Sequence, residues 1–126
     1  MEASVFESTL KVYHEAFAEE DKAKRIALLQ RCMTPDAEIW GPQRLLKGYE
    51  AISEKIEGFH KRMRGARLLL ASGLNVFESV ARFRGAILNG DGTVRTEGEA
   101  VVLLAEDGRI SKVFPFWEPV PPLPAT

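Results

Sequence analysis

The chain divides into a helical half and a strand half that do not interleave. From Ala66 to Trp117 it is a series of apolar-rich segments, punctuated by Asn89-Gly90-Asp91-Gly92 and by Glu106-Asp107-Gly108-Arg109. Asn-Gly and Asp-Gly between apolar runs favour tight hairpins, because glycine takes a positive φ at little steric cost. Strands joined in this way make an antiparallel meander, and helices gathered ahead of a meander must bury their apolar stripes on one of its faces. The order therefore predicts an α+β protein, with N-terminal helices packed on a strongly curved antiparallel sheet.

Period and caps place the helices. Ser4 followed by Glu7 has capping-box spacing and predicts a helix start at about residue 4. Phe6, Leu10, Tyr13 and Phe17 then line one side of that helix. Asp21 is placed to cap a second helix burying Ile26, Leu29 and Met33, with Thr34-Pro35-Asp36 as its stop. Ala37–Trp40 reads as a short strand closed by Gly41-Pro42. A third helix is predicted from about Tyr49 to Arg64, with Tyr49, Ile52, Ile56, Phe59 and Met63 inward and Gly65 at its end.

The 126 residues suit a single domain, placed at residues 1–118, with a proline-rich C-terminal tail over 119–126. Lys plus Arg number 17 against 18 for Asp plus Glu, a net charge of −1 that gives no footprint for nucleic acid or an anionic membrane. The apolar runs are too short to span a bilayer, and the acidic start Met1-Glu2-Ala3-Ser4 lacks a signal-peptide core, so a cytoplasmic location is expected. Cys32 is the single cysteine, which excludes an internal disulfide. No metal-ligand spacing surrounds either histidine, and neither a metal nor a cofactor is expected.

Counting outward from the two turns predicts strand pairing. A symmetric Asn89–Gly92 turn sets Leu88 opposite Thr93, Arg84 opposite Glu97 and Arg82 opposite Glu99. The second turn sets Gly98 opposite Trp117, Ala100 opposite Pro115 and Val102 opposite Val113. One face is then nearly uncharged, from Phe77 through Phe83 and Ile87 to Trp117. The other mixes charges with Val101, Leu103, Phe114 and Phe116, so a second cover is expected there, and a homodimer through these four residues supplies it.

At this level of detail the chain resembles the nuclear transport factor 2-like superfamily, and within it the SnoaL-like domains. The resemblance spans about residues 5–118. It rests on the first helix leading to Asp21, on Met33-Thr34-Pro35-Asp36-Ala37-Glu38, on Lys47-Gly48-Tyr49-Glu50-Ala51-Ile52, and on the final hairpin Ala105-Glu106-Asp107-Gly108-Arg109-Ile110. It implies a cone whose helices and bent sheet enclose an apolar pocket. In the isomerase branch it implies three functional positions. Tyr13 matches the tyrosine, but the base falls on Gly41 and the protonated aspartic acid on Ala100. The aspartate that the epoxide-hydrolase branch carries on its last strand falls on Pro115. The resemblance thus argues against both of those chemistries.

The function expected from these residues is binding of a small, largely apolar molecule in an internal pocket lined by Tyr13, Phe17, Trp40, Phe59, His60, Phe83, Val102, Val113 and Trp117. Gly85, Gly98 and Ala100 would leave room at its floor. A cyclase, isomerase or dehydratase using Tyr13, His14 or His60 for acid–base work is the rival, and a homodimeric assembly module without a ligand is the third reading. Glu97 and Glu99 read as ladder partners of arginines, Glu118 as a solvated strand end and Cys32 as a small core residue. The tail, with Pro119-Val120-Pro121-Pro122, reads as extended chain that lies on a neighbouring subunit or moves freely, or that meets a proline-binding groove.

Overall fold

The computed structural model describes residues 2–125, so the first residue of the expected domain and the last of the expected tail lie outside the described residues. Three helices come first: α1 (Ala3–Ala18), α2 (Lys22–Cys32) and α3 (Tyr49–Arg62). Between α2 and α3 run β1 (Met33–Trp40) and β2 (Leu45–Lys47). The strand half supplies β3 (Arg67–Leu70), β4 (Asn75–Phe77), β5 (Val80–Leu88), β6 (Val94–Leu104) and β7 (Ile110–Phe116). The seven strands make one open, curved sheet in the order β2-β1-β7-β6-β5-β3, with β4 also on β5. The sheet is mixed rather than wholly antiparallel, because β1 returns alongside β7 in parallel. This class of fold is the expected α+β.

Capping follows the sequence at one helix and departs from it at another. The Asp21 carboxylate accepts from the Lys24 N–H at 3.0 Å, as its position implied. Ser4 lies inside α1, which starts at Ala3 behind Glu2 and makes no side-chain cap hydrogen bond. In α2 the buried side is Arg25, Leu29 and Cys32, so the helix is turned about one position from the predicted stripe, leaving Ile26 half-buried. The reason is Arg25 itself, only 1% exposed. Its Nε donates to the Ser53 hydroxyl of α3 at 2.9 Å, and its Nη1 donates to the carbonyls of Glu19 and Glu20 at 3.0 and 3.3 Å. One guanidinium thus ties the α1–α2 turn to α3, and its donors replace the water that burial removes.

The two long hairpins test the pairing. At the first, the Asn89 N–H donates to the Thr93 carbonyl at 2.8 Å, and Gly92 takes φ +88° within the loop. That loop is one residue longer than the predicted turn, and a further register shift between Ile87 and Leu88 adds one more. Arg84 therefore faces Glu99 and Arg82 faces Val101, correcting the predicted partners Glu97 and Glu99. Two single shifts restore the face, so from Val80 to Ile87 and from Thr96 onward the side chains point where the alternation put them. At the second hairpin Ala105 pairs with Arg109, and the shift between Leu103 and Leu104 cancels the longer loop. Ala100 opposite Pro115 and Val102 opposite Val113 hold as predicted.

The core lies between helices and sheet. Phe6, Leu10, Tyr13 and Phe17 of α1 meet Ile52 and Ile56 of α3 and Ala81, Phe83, Val102 and Val113 of the sheet. Phe77 is not on this inner face. The tight Glu78-Ser79 turn, with Glu78 at φ +52°, pairs Phe77 with Val80, and the ring stands on the outer face.

Candidate functional site

The expected pocket lining divides into three places. Tyr13, Phe17, Phe59, Phe83, Val102 and Val113 are buried side chains of the core. The Phe17 ring packs edge-on against Tyr13 at 5.0 Å and against Phe59 at 6.1 Å, so three of the expected lining residues pack on one another. Trp40 stands on the other side of the sheet. It is 43% exposed, its ring packs on Phe114 at 5.7 Å, and its Nε1–H donates to Glu38. Ile39, not Trp40, is the inward residue there, because Ile39 pairs with the core residue Val113.

Trp117 occupies the third place. A Cβ built on Gly98 would come within 2.4 Å of the Phe116 carbonyl oxygen and 2.8 Å of the Trp117 ring, and one on Gly85 within 3.9 Å of the same ring. Gly85 and Gly98 face each other across β5 and β6. The room their missing side chains leave is thus filled by the indole of Trp117, which remains 37% exposed. Counting from the second turn did foresee a ring over Gly98. It did not foresee that the ring would take up the floor space itself.

His60 is half-buried beside Phe59, and its Nε2–H donates to the Phe17 carbonyl at the end of α1. It ties off a helix C-terminus, where a donor is favoured by the unpaired carbonyls. His14 is separate from it, on α1 beside Tyr13. Burial pushes the His14 imidazole down to about 4 and the Cys32 thiol up to about 12. Burial, with Cys32 beside it, also drives the Tyr13 phenol well above its usual range. All three groups are therefore neutral near pH 7, and none is poised to trade a proton at that pH.

Two of the depressions in the surface of the described residues open to solvent beside α1. One, about 350 Å³, is lined by polar and apolar groups alike and sits where Ser4, Ser8 and Thr9 of α1 meet the tip of the β6–β7 hairpin. Arg109 is anchored at its edge by Asp107 at 2.8 Å, and its Nη1 donates to the carbonyls of Gln30 and Met33. The other is about 410 Å³ and runs between α1 and the sheet-edge strand β3. Leu10, Ala18, Leu68, Leu69 and Leu70 form its apolar surface, His14 lies within it, and Glu7, Lys11, Glu15 and Arg67 border it. Sequence reasoning offered His14 as an acid–base candidate but had no signal for this groove, because β3 and α1 meet only in three dimensions. Among the described residues no cluster of His, Cys, Asp or Glu is arranged to hold a metal ion.

No protein-family model matches the chain, and no curated protein matches it. Solved structures do. A SnoaL-like family protein from Agrobacterium tumefaciens strain C58, described as a candidate isomerase, superposes with a TM-score of 0.82 at 25% identity, over 92% of this chain and 99% of that one. A nuclear transport factor 2-like protein of unknown function from Exiguobacterium sp. 255-15 gives 0.70 at 18% identity, over 89% and 99%. A candidate SnoaL-like polyketide cyclase from Jannaschia sp. CCS1 gives 0.70 at 13%, over 89% and 83%. The chain belongs to the SnoaL-like, nuclear transport factor 2-like superfamily.

Ala100 and Pro115, the two positions to which the resemblance assigned carboxylates in this SnoaL-like domain, pair across β6 and β7 on the side of Phe83. Gly41 lies just past β1, its N–H donating to Arg44, and supplies no side chain. Tyr13 is the one polar group of that set, buried in the aromatic cluster. No helix among the described residues is long and apolar enough to cross a membrane.

Proposed function

We propose that this SnoaL-like domain binds a small, largely apolar molecule, and that the α1–β3 groove is where it does so. The observation that carries the reading is the groove itself. Its volume of about 410 Å³ lies within the range of small-molecule sites. Its surface is leucine-rich, and the half-buried, neutral His14 imidazole within it is able to donate or accept a hydrogen bond. On this reading the ligand lies outside the cone, and Phe17, Tyr13 and Phe59 pack on one another inside it. The neutral Tyr13, His14 and Cys32 favour binding over acid–base turnover.

The test is a titration with 2-naphthol, a flat apolar probe with one hydroxyl, followed by amide chemical shifts. The expected shifts centre on Leu68–Leu70 and His14, and His14→Ala weakens them. Shifts confined to the outer sheet face, or equal binding by His14→Ala, would overturn the assignment.

We also propose that the domain pairs with a second copy through its outer sheet face. Val101, Leu103 and Phe114 are half-buried there, and Phe116 is 60% exposed in line with them. Trp40, Leu45 and Phe77 extend the same apolar surface. Arg82, Arg84, Glu99 and Lys112 add both signs of charge, which suits a surface meeting itself. Phe116→Asp should leave a folded monomer by sedimentation, and a variant that stays paired refutes this face.

A further inference from the structure

Residues 119–124 read Pro-Val-Pro-Pro-Leu-Pro and leave β7 as fully exposed chain outside any helix or strand. Four prolines in six residues hold φ near the polyproline value, so the segment is extended before it meets anything. With three residues per turn, Val120 and Leu123 fall on one edge of that helix, roughly 9 Å apart. They are 87% and 93% exposed, the barest apolar side chains described. Such an edge gains by burial and loses little entropy on ordering.

The same chain offers a matching surface. Trp40 and Phe114 pack at 5.7 Å and 32° to each other, forming a shallow aromatic platform on the outer sheet face. The Trp40 ring is held by its hydrogen bond to Glu38. Proline-rich segments dock on platforms of this kind, because flat rings take both the proline faces and the intervening apolar side chains. The segment also follows β7 closely, after Trp117 and Glu118, and β7 carries Phe114 and Phe116. Segment and platform therefore border the face already proposed for pairing. Of the nine large apolar side chains exposed among the described residues, Trp40, Leu45, Phe77 and Phe116 lie on this face and Val120 and Leu123 on the segment.

We infer that, in a pair of chains, residues 119–124 of each copy form a strap lying in polyproline conformation across the Trp40–Phe114 platform of the other. The inference rests on the pairing proposed above and adds a second, separable contact to it. A twofold pair makes the contact twice, which is why platform and strap can reside on one chain.

The experiment compares the wild-type chain with Val120→Asp/Leu123→Asp by sedimentation and by Trp40 emission, both in a Trp117→Phe background. Both substituted side chains are exposed, so the fold of each chain is unaffected. The strap predicts at least a tenfold weaker dimer (about 1.4 kcal/mol) and a red shift of Trp40. Trp40→Ala should weaken the dimer as well, and the two effects should combine to less than their sum, as contacting groups do. An unchanged dissociation constant with unchanged emission overturns the strap while the pairing stands, as it would if the segment served another protein. Strictly additive effects also overturn it. A wild-type chain that sediments as a monomer overturns strap and pairing together.

Discussion

Burial keeps the His14 imidazole neutral, and its position in the groove gives that a measurable consequence. Its pKa is lowered from 6.5 to about 4. Between those values the unfolded chain takes up a proton that the folded chain refuses, so stability falls as pH drops through this window. The slope contributed reaches at most about 1.4 kcal/mol per pH unit, and above pH 6.5 the contribution is complete. Urea unfolding of His14→Gln should show a flatter profile than wild type between those limits, and superposable profiles would refute the burial argument. Gly98 makes a second prediction at this scale. A methyl group there meets a backbone oxygen at 2.4 Å, which no rotamer change can relieve. Gly98→Ala should cost about 2 kcal/mol in urea unfolding and red-shift Trp117. The glycine–tryptophan contact was legible in the sequence, because two counts from one turn identify it. Arg25 was not, because periodicity assigns a cation to water and cannot see that a serine and two helix-end carbonyls lie within its reach.

Elements in this protein are held by a few side chains that cross between them. Removing the Arg25 guanidinium would strand the Ser53 hydroxyl and loosen the α1–α2 turn together. Arg25→Ala should cost about 3 kcal/mol, and Arg25→Lys should recover little of it, since an ammonium lacks the fork. Equal stability of Arg25→Lys and wild type would sink this account. The faces of β5, β6 and β7 along their paired length were legible from alternation, and the partners across β5 and β6 were not. The first hairpin shows why: loop length and bulge each move the register by one, and neither leaves a mark on the hydrophobic pattern. In the second hairpin the same two effects cancel, so the predicted partners of Ala100 and Val102 are the observed ones. Phe77 was misassigned for a related reason, because its turn is built on Glu78 at φ +52°, a conformation no glycine announces.

For the whole molecule, pairing through the outer sheet face ties melting to concentration. The Tm of the wild-type chain should rise with protein concentration and that of Phe116→Asp should not, as mass action requires when folding and association are linked. A concentration-independent wild-type Tm would count against the pair. The α+β layering was legible because helix and strand periods occupy separate halves of the chain. The interior was not, since a resemblance says where a cavity can lie and side-chain volumes decide whether it does. Trp117 draws that distinction sharply. Its indole is a tethered guest, seated on two glycines and reachable from solvent. Trp117→Ala would turn the seat into a vacancy shaped for one bicyclic ring. Free indole added to that variant should then restore part of the lost melting temperature, a complementation between protein and small molecule that wild type, with its seat taken, would not show.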